Sequence, residues 1–371
     1  MREPVEHRRQ RILAAVESRG SARVSDLAGE LAVSVVTVRR DVEELAREGR
    51  LRRGHGVVRS VLAAQDLPAP RAPVGDTVAV VVPERHTYLY ESLHGARSVL
   101  EAAGKRIALH IAPLAGGSER PLVERALADG AAGLLLAPRW RTRADEEADH
   151  AWLAALDVPA VLMERRPGPG TPLHAMDSVC SDHAHGARLA VEHLVGLGHR
   201  RLVFATRDDS PTARTLRSAC ARIADAHPLV REWAWTLSAP EAGQDGPYAA
   251  AETAPLHALL REVGATAAVL HGDVDALMLV QRLADHGVRV PQDCSVVAYD
   301  DVVAGLGTTP LTAVAPPKAE VGRVAAELLL QRLDTAGGSG APVRRIELLP
   351  ALSVRGSTRT RTGDGGTGRT E

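Results

Sequence analysis

The chain has 371 residues, 45% of them hydrophobic, and 45 Lys and Arg stand against 46 Asp and Glu for a net charge of −1 at neutral pH. At roughly 150 residues to a domain this length holds two or three folding units, and no apolar run reaches the ~18 residues of a bilayer span, so a membrane protein is excluded. Cys180, Cys220 and Cys294 include no CxxC pair and are too widely spaced for a disulfide framework, which points to a reducing compartment.

The first twenty residues are charged throughout and lack the apolar stretch of an export signal, so the expected location is the cytoplasm. Residues 1–60 hold 13 Arg against 9 Asp and Glu, a net of +4, while the remainder is net negative. That asymmetry suits a nucleic-acid-binding head on an acidic body. Ile12, Leu13 and Val16 recur at helical spacing and predict a helix over 6–19. Ser25 is placed to cap a second, short helix from Asp26 to Leu31. Ser34 is placed to cap a third, running to Arg47, with Val38, Val42 and Leu45 inward and Thr37, Arg39 and Arg40 on the opposite face. Leu51 to Val58 reads as a small β-hairpin. Three helices and a hairpin predict a winged helix-turn-helix, whose third helix presents its N-terminal half to base edges in the major groove.

The series Val33-Ser34, Thr37-Val38-Arg39-Arg40-Asp41-Val42, Leu45, Gly49 and Leu51-Arg52-Arg53-Gly54-His55-Gly56 resembles the DNA-binding head of the DeoR family. The resemblance implies double-stranded operator DNA as partner. The contact residues expected on this basis are Ser34, Val35, Thr37, Arg39 and Arg40 on the helix and Arg52, Arg53 and His55 on the wing.

The head is read as residues 1–59. Residues 60–75 contain three prolines and end in glycine, as a linker does. Beyond them, β-branched runs alternate with helical stretches: strands at 77–82, 106–111, 133–137 and 160–163, with helices at 93–103, 122–128 and 152–156 between them. A second round follows, with helices at 185–197, 212–226 and 276–286 and strands at 201–205, 265–270 and 294–299. This predicts two doubly wound parallel lobes.

Asp182, Gly186, Ala190, His193-Leu194 and Gly198-His199-Arg200-Arg201 are followed in order by Gly287 to Pro291, Ser295 to Asp301, Pro310 to Val314 and Leu348 to Thr358. Together they resemble the effector-binding core of the LacI/GalR repressors, whose fold is that of the periplasmic binding proteins. The expected α/β architecture is thus an N-terminal winged helix-turn-helix plus a two-lobed, doubly wound, periplasmic-binding-protein-like core over 76–358. Lobe one is expected at 76–175 and 309–340, and lobe two at 176–308 and 341–358. The tail from Gly356, and residues 359–371 above all, is expected to be disordered.

The resemblance implies a small-molecule effector, a sugar or sugar derivative, held between the lobes by Asp182, Arg214 and Asp273, with Tyr88, Tyr90 and Trp140 on loops facing the cleft. Asp273 reads equally well as a helix cap before Ala276. The family also implies a homodimer. His183, His185, His193 and His199 lack a metal-ligand pattern, and no nucleophile elbow, phosphate loop or dinucleotide fingerprint occurs. No metal, cofactor or enzymatic activity is therefore expected. The predicted function is a ligand-responsive DNA-binding regulator, a repressor of carbohydrate genes that its effector releases. A sugar-binding transport protein and a sugar-acting enzyme are the alternatives. The first lacks its signal peptide here, and the second lacks its convergent nucleophile and base.

Overall fold

A computed structural model describes residues 5–19, 21–31, 33–47, 51–54, 57–60, 76–84, 87–113, 117–239, 254–334 and 342–361. Two compact units divide the chain, one reaching Arg71 and the other beginning at Ala72.

The head consists of α1 (Val5–Arg19), β1 (Ser21–Arg23), α2 (Val24–Glu30), α3 (Val35–Arg47), β2 (Leu51–Gly54) and β3 (Val57–Ser60). Ile12, Val16, Leu27, Val38, Leu45 and Val58 are wholly buried in one cluster, so each helix contributes one face to a shared core. A charged tie reinforces it: buried Asp41 on α3 accepts from Arg8 Nε at 2.6 Å and Arg9 Nε at 3.4 Å, both on α1. The wing has a strand the sequence did not reveal, because β1 joins the hairpin in the antiparallel order β1-β3-β2. This also corrects the expected cap of α2. The helix begins at Val24, directly after β1, with no side-chain cap, and Ser25 Oγ bonds Asp26 Oδ1 at 3.0 Å.

The second unit opens with β4 (Thr77–Pro83), α4 (Thr87–Ala102), β5 (Arg106–Ala112), α5 (Arg120–Ala128), β6 (Gly133–Leu136), α6 (Arg143–Ala154), β7 (Ala160–Met163) and β8 (Asp177–Ser181). It continues through α7 (His183–Gly196), β9 (Arg201–Thr206), α8 (Pro211–Ala226), β10 (Glu232–Leu237), α9 (Leu256–Val263), β11 (Ala267–His271), α10 (Asp273–Asp285), β12 (Ser295–Tyr299) and β13 (Thr312–Ala315). It closes with α11 (Lys318–Asp334), β14 (Arg345–Leu348) and β15 (Ala351–Ser353). Lobe one is an all-parallel sheet in the order β14-β8-β7-β6-β4-β5, and lobe two runs β10-β9-β11-β12-β13-β15 with only β15 antiparallel. Val78 to Val82 are each 5% exposed or less, as a strand covered by helices on both faces requires.

The strand pairings shift the lobe boundaries. β8 pairs with β7, β13 with β12, and β14 with β8. The chain therefore crosses after Ser181, between Ala315 and Lys318, and between Leu348 and Ala351, each time later than the expected 175, 308 and 340. The tail expectation is also corrected as far as Arg361. Ser357 is fully buried and its Oγ bonds Thr312 N and Val296 O, while Arg361 N donates to Leu197 O at 2.7 Å. Residues 362–371, and the linker from 61 to 75, lie outside the described residues.

Candidate DNA-binding face and interlobe cavity

Two arrangements in the molecule have a functional character, and the first is the outer face of α3. Ser34 Oγ accepts from Thr37 N at 3.2 Å and starts the helix, as its position in the sequence predicts. Val38, Val42 and Leu45 then face the core while Arg39 and Arg40 are exposed on the far side. With Asp41 holding α1 to the buried side, the outer arginines are carried on a braced element. Arg52 and Arg53 lie on β2, the wing strand, though their side chains, and Gly49 and His55 altogether, fall outside the described residues.

The second is a cavity of about 360 Å³ lined from both lobes. Lobe one supplies a helical face of α6, with Arg143, Glu146, Glu147 and His150 at the i, i+3, i+4, i+7 spacing that aligns side chains on one side. Thr142 and Asp145 form the reciprocal cap that starts this helix, at 3.1 and 2.8 Å. Trp140, Glu164, Arg166 and Ser181 extend the wall from the C-terminal ends of β6, β7 and β8. Lobe two answers with Thr212, Arg214, Thr215, Ser218 and Arg222 of α8, and with His183 at the start of α7.

The floor of the cavity is a buried polar chain. Glu164, 3% exposed at φ 52°, accepts from Ser181 N at 3.1 Å and from Ser181 Oγ at 2.9 Å. His183 Nδ1 meets Tyr299 Oη at 3.1 Å across to β12, and its Nε2 lies 3.5 Å from Glu164 Oε2, too far to count as a hydrogen bond. Burial pushes the Tyr299 hydroxyl well above its ordinary pKa, so it keeps its proton and can donate to Nδ1. Glu164 and His183 thus bring a carboxylate and an imidazole together at the cavity floor. Burial likewise pushes the neighbouring Cys180 thiol up to about 12, which keeps it protonated and unreactive.

Arg214 spans the two lobes. Its Nη1 donates to Trp140 O at 2.6 Å and Arg141 O at 2.8 Å, and its Nη2 to Glu146 Oε2 at 3.2 Å. Trp140 presents that carbonyl from a left-handed backbone at φ 40°, fixed by Nε1 donating to buried Asp149 at 2.9 Å.

Residues 8–63 match the model of the DeoR-like helix-turn-helix domain, and residues 191–358 match that of the periplasmic binding protein-like domain. The chain thus carries a DeoR-like helix-turn-helix domain followed by a periplasmic binding protein-like domain. The transcriptional repressor PurR of Haemophilus influenzae is 29% identical over 206 residues, which cover 55% of this chain and 58% of that repressor's own length. The arabinose metabolism transcriptional repressor of Geobacillus stearothermophilus is 27% identical over 351 residues, 90% of each chain. Among solved structures, a Lac repressor dimer bound to operator and the anti-inducer ONPF shares the fold with a TM-score of 0.60 at 22% identity, over 77% of this chain and 94% of that one.

Within the two-lobed unit, the cavity unites Trp140 and Arg214 and leaves the other expected ligand residues outside its lining. Asp182 caps α7, accepting from His185 N at 2.9 Å. Asp273 clamps the turn after β12, accepting from the backbone N–H groups of Asp301 at 3.2 Å, Val302, Val303 at 2.9 Å and Ala304 at 3.3 Å. Burial raises the Asp273 pKa and these four donors oppose the rise. Its carboxylate is engaged by that turn, and it does not cap α10, whose N-cap is Gly272 without a side-chain cap bond. Tyr88 and Tyr90 lie on α4 and not on a loop; Tyr90 is 55% exposed, and the Tyr88 side chain is outside the described residues. Trp140 is 3% exposed and joins the lobe-one core, which leaves its edge and backbone to the cavity.

Sequence reasoning missed the α6 face because it began that helix at Trp152. The polar residues at 143, 146, 147 and 150 carried the signal, in register with the Thr142–Asp145 cap. It also missed Glu164 and His183, whose pairing depends on the β8 crossing. Of the four conspicuous histidines, His193 meets Thr358 at 3.0 Å, His199 meets Thr266 and Ser295 at 2.8 and 2.9 Å, and His185 meets Arg188 at 3.1 Å. Among the described residues, no group of three or more potential ligands is placed to hold a metal ion.

Proposed function

We propose that this chain is a ligand-responsive transcription regulator, in which α3 of the head docks in the major groove and a small polyhydroxylated molecule in the interlobe cavity controls that docking. The observation that carries the reading is the exposed Arg39–Arg40 pair on a helix whose opposite face is wholly committed to the core. A guanidinium there reaches a phosphate or the O6 and N7 of guanine. Ser34, Val35, Thr37, Arg52, Arg53 and His55 complete the proposed DNA surface.

In the core, a volume of about 360 Å³ accommodates a sugar. Its lining holds four arginines and three glutamates, so neither charge is in large excess. The Geobacillus relative is named for arabinose metabolism, which supports a sugar-class effector and a repressor's sign. The chain acts by binding and release, in the cytoplasm.

We infer that the working unit is a homodimer. Val274 and Met278 on α10 and Leu306 on the turn packed against it are 55%, 48% and 80% exposed and adjoin one another, a surface that a second copy could cover. Sedimentation should give a dimer, and Leu306→Arg a monomer; a monomeric wild type contradicts this.

The DNA reading is tested by fluorescence anisotropy of the full chain on duplexes selected from a random pool. Arg39→Ala and Arg40→Ala should each weaken binding by ~1–3 kcal/mol if a base contact is lost, or flatten the salt slope by about one if a phosphate contact is lost. Wild-type affinity and slope in both variants would refute it.

A further inference from the structure

Helix α3 leaves two β-branched apolar side chains in water at its N-terminal turn. Val36 is 74% exposed and Val35 40%, whereas Val38 and Val42 in the same helix are 0% and 2%. The 100° step of an α-helix sets Val36 at the centre of the outer face, with Arg39 and Arg40 one turn further on, and turns Val35 toward the edge of the core.

A lone exposed valine is unremarkable in itself. The commitments of its neighbours distinguish Val36. Ser34 Oγ is bonded to Thr37 N at 3.2 Å and to Thr37 Oγ1 at 2.8 Å, so both hydroxyls of the first turn are engaged in starting the helix. Between that cap and the two guanidinium groups, the surface the turn offers is apolar. Valine is also a poorer helix former than Ala, Glu or Lys, so its place on the exposed side is not explained by helix stability.

We propose that Val36 reads a thymine by packing on its C5-methyl group in the major groove, with Val35 as the flanking wall and Arg39 and Arg40 anchoring the helix beside it. The proposal rests on the reading of α3 as the groove-facing helix. Thymine alone among the four bases presents a methyl group in that groove. A valine has no donor or acceptor to satisfy there, so the contact discriminates by excluding water and by close packing. The adjacent cationic pair supplies the attraction to the phosphate backbone that brings the apolar patch into the groove.

The test uses the full chain and duplexes it selects from a randomised pool. The selected consensus should hold a thymine in each half-site, and replacing it with deoxyuridine removes the methyl group alone. Wild-type affinity should then fall about fourfold per thymine, the equivalent of one buried methyl group. Val36→Ala should bind both duplexes alike, and Val36→Thr, which retains a methyl group, should keep the preference. Circular dichroism establishes that each variant is folded. A wild type that selects a consensus yet is indifferent to deoxyuridine at every thymine in it overturns the proposal and leaves DNA binding by α3 intact. A pool that yields no consensus overturns the DNA reading, and this proposal with it.

Discussion

Glu119 is a buried carboxylate whose environment predicts a pH-dependent contribution to the stability of lobe one. The residue precedes α5, is 3% exposed, and accepts from Arg139 N at 3.0 Å. Burial raises its pKa, and its backbone bonds and the guanidinium groups of Arg165 and Arg139 pull the other way. A raised value means that the native state holds the proton more tightly than the unfolded chain. This contribution is complete below the ordinary carboxylate value of 4.5 and is lost as pH rises through the folded value. Glu119→Gln keeps an acceptor for Arg139 N and removes the titration. The wild type should therefore be more stable relative to this variant at about pH 5 than at about pH 7, measured by urea unfolding at both. A difference that is constant, or that grows with pH, contradicts the assignment.

Arg214 was legible at the same scale only as a type of residue at a particular place. Its position after β9 marked it for the cleft. The use of its two terminal nitrogens on Trp140 O, Arg141 O and Glu146 depends on a left-handed turn that the residues around Trp140 do not announce.

Among the elements, α4 and α11 show what a missing side chain permits. A Cβ on Gly322 would stand 1.7 Å from Ser92 O, and one on Gly95 would stand 1.9 Å from Ala319 O. Both obstacles are backbone, which has no rotamer to move, so these glycines set how closely the two helices pack. Gly322→Ala should force them apart and cost about 1–3 kcal/mol, as overpacking in a core does. Thermal unfolding measures the loss, and an unchanged midpoint would show that the helices have room to separate freely.

Strands such as Val78 to Val82 were readable because a sheet covered on both faces needs an unbroken apolar run. The helix α3 was readable because its buried positions keep a strict period. The β8 segment, Asp177 to Ser181, was not, since Asp-Ser-Val-Cys-Ser sets only two apolar residues among turn-forming ones and has no period to read. It is a strand because β7 and β14 pair with it on either side. The three lobe crossings were displaced for the same reason. The start of α6 was present in the sequence as the Thr142–Asp145 cap, and went unread because Arg143 to His150 contribute polar side chains to a cavity and not apolar ones to a core.

For the whole molecule, the proposed function requires the unit from Ala72 onward to sense an effector and the unit reaching Arg71 to respond at DNA. Three chain crossings allow the lobes to change their relative angle while each sheet stays rigid. Arg214 ties the lobes across the cavity the effector would occupy, so a bound sugar and the tie compete for or share the same groups. The most direct test is the affinity of the full chain for a selected operator duplex, measured by fluorescence anisotropy with and without a sugar that a thermal-shift panel shows to bind. Operator affinity should be at least tenfold weaker at saturating sugar, about 1.4 kcal/mol of coupling. Reciprocally, the sugar should bind equally more weakly when operator is present, and Arg214→Ala should change that coupling while leaving binding to operator alone intact. An operator affinity that is the same at every sugar concentration, while the sugar raises the melting temperature, would show that the core binds its ligand without controlling the head.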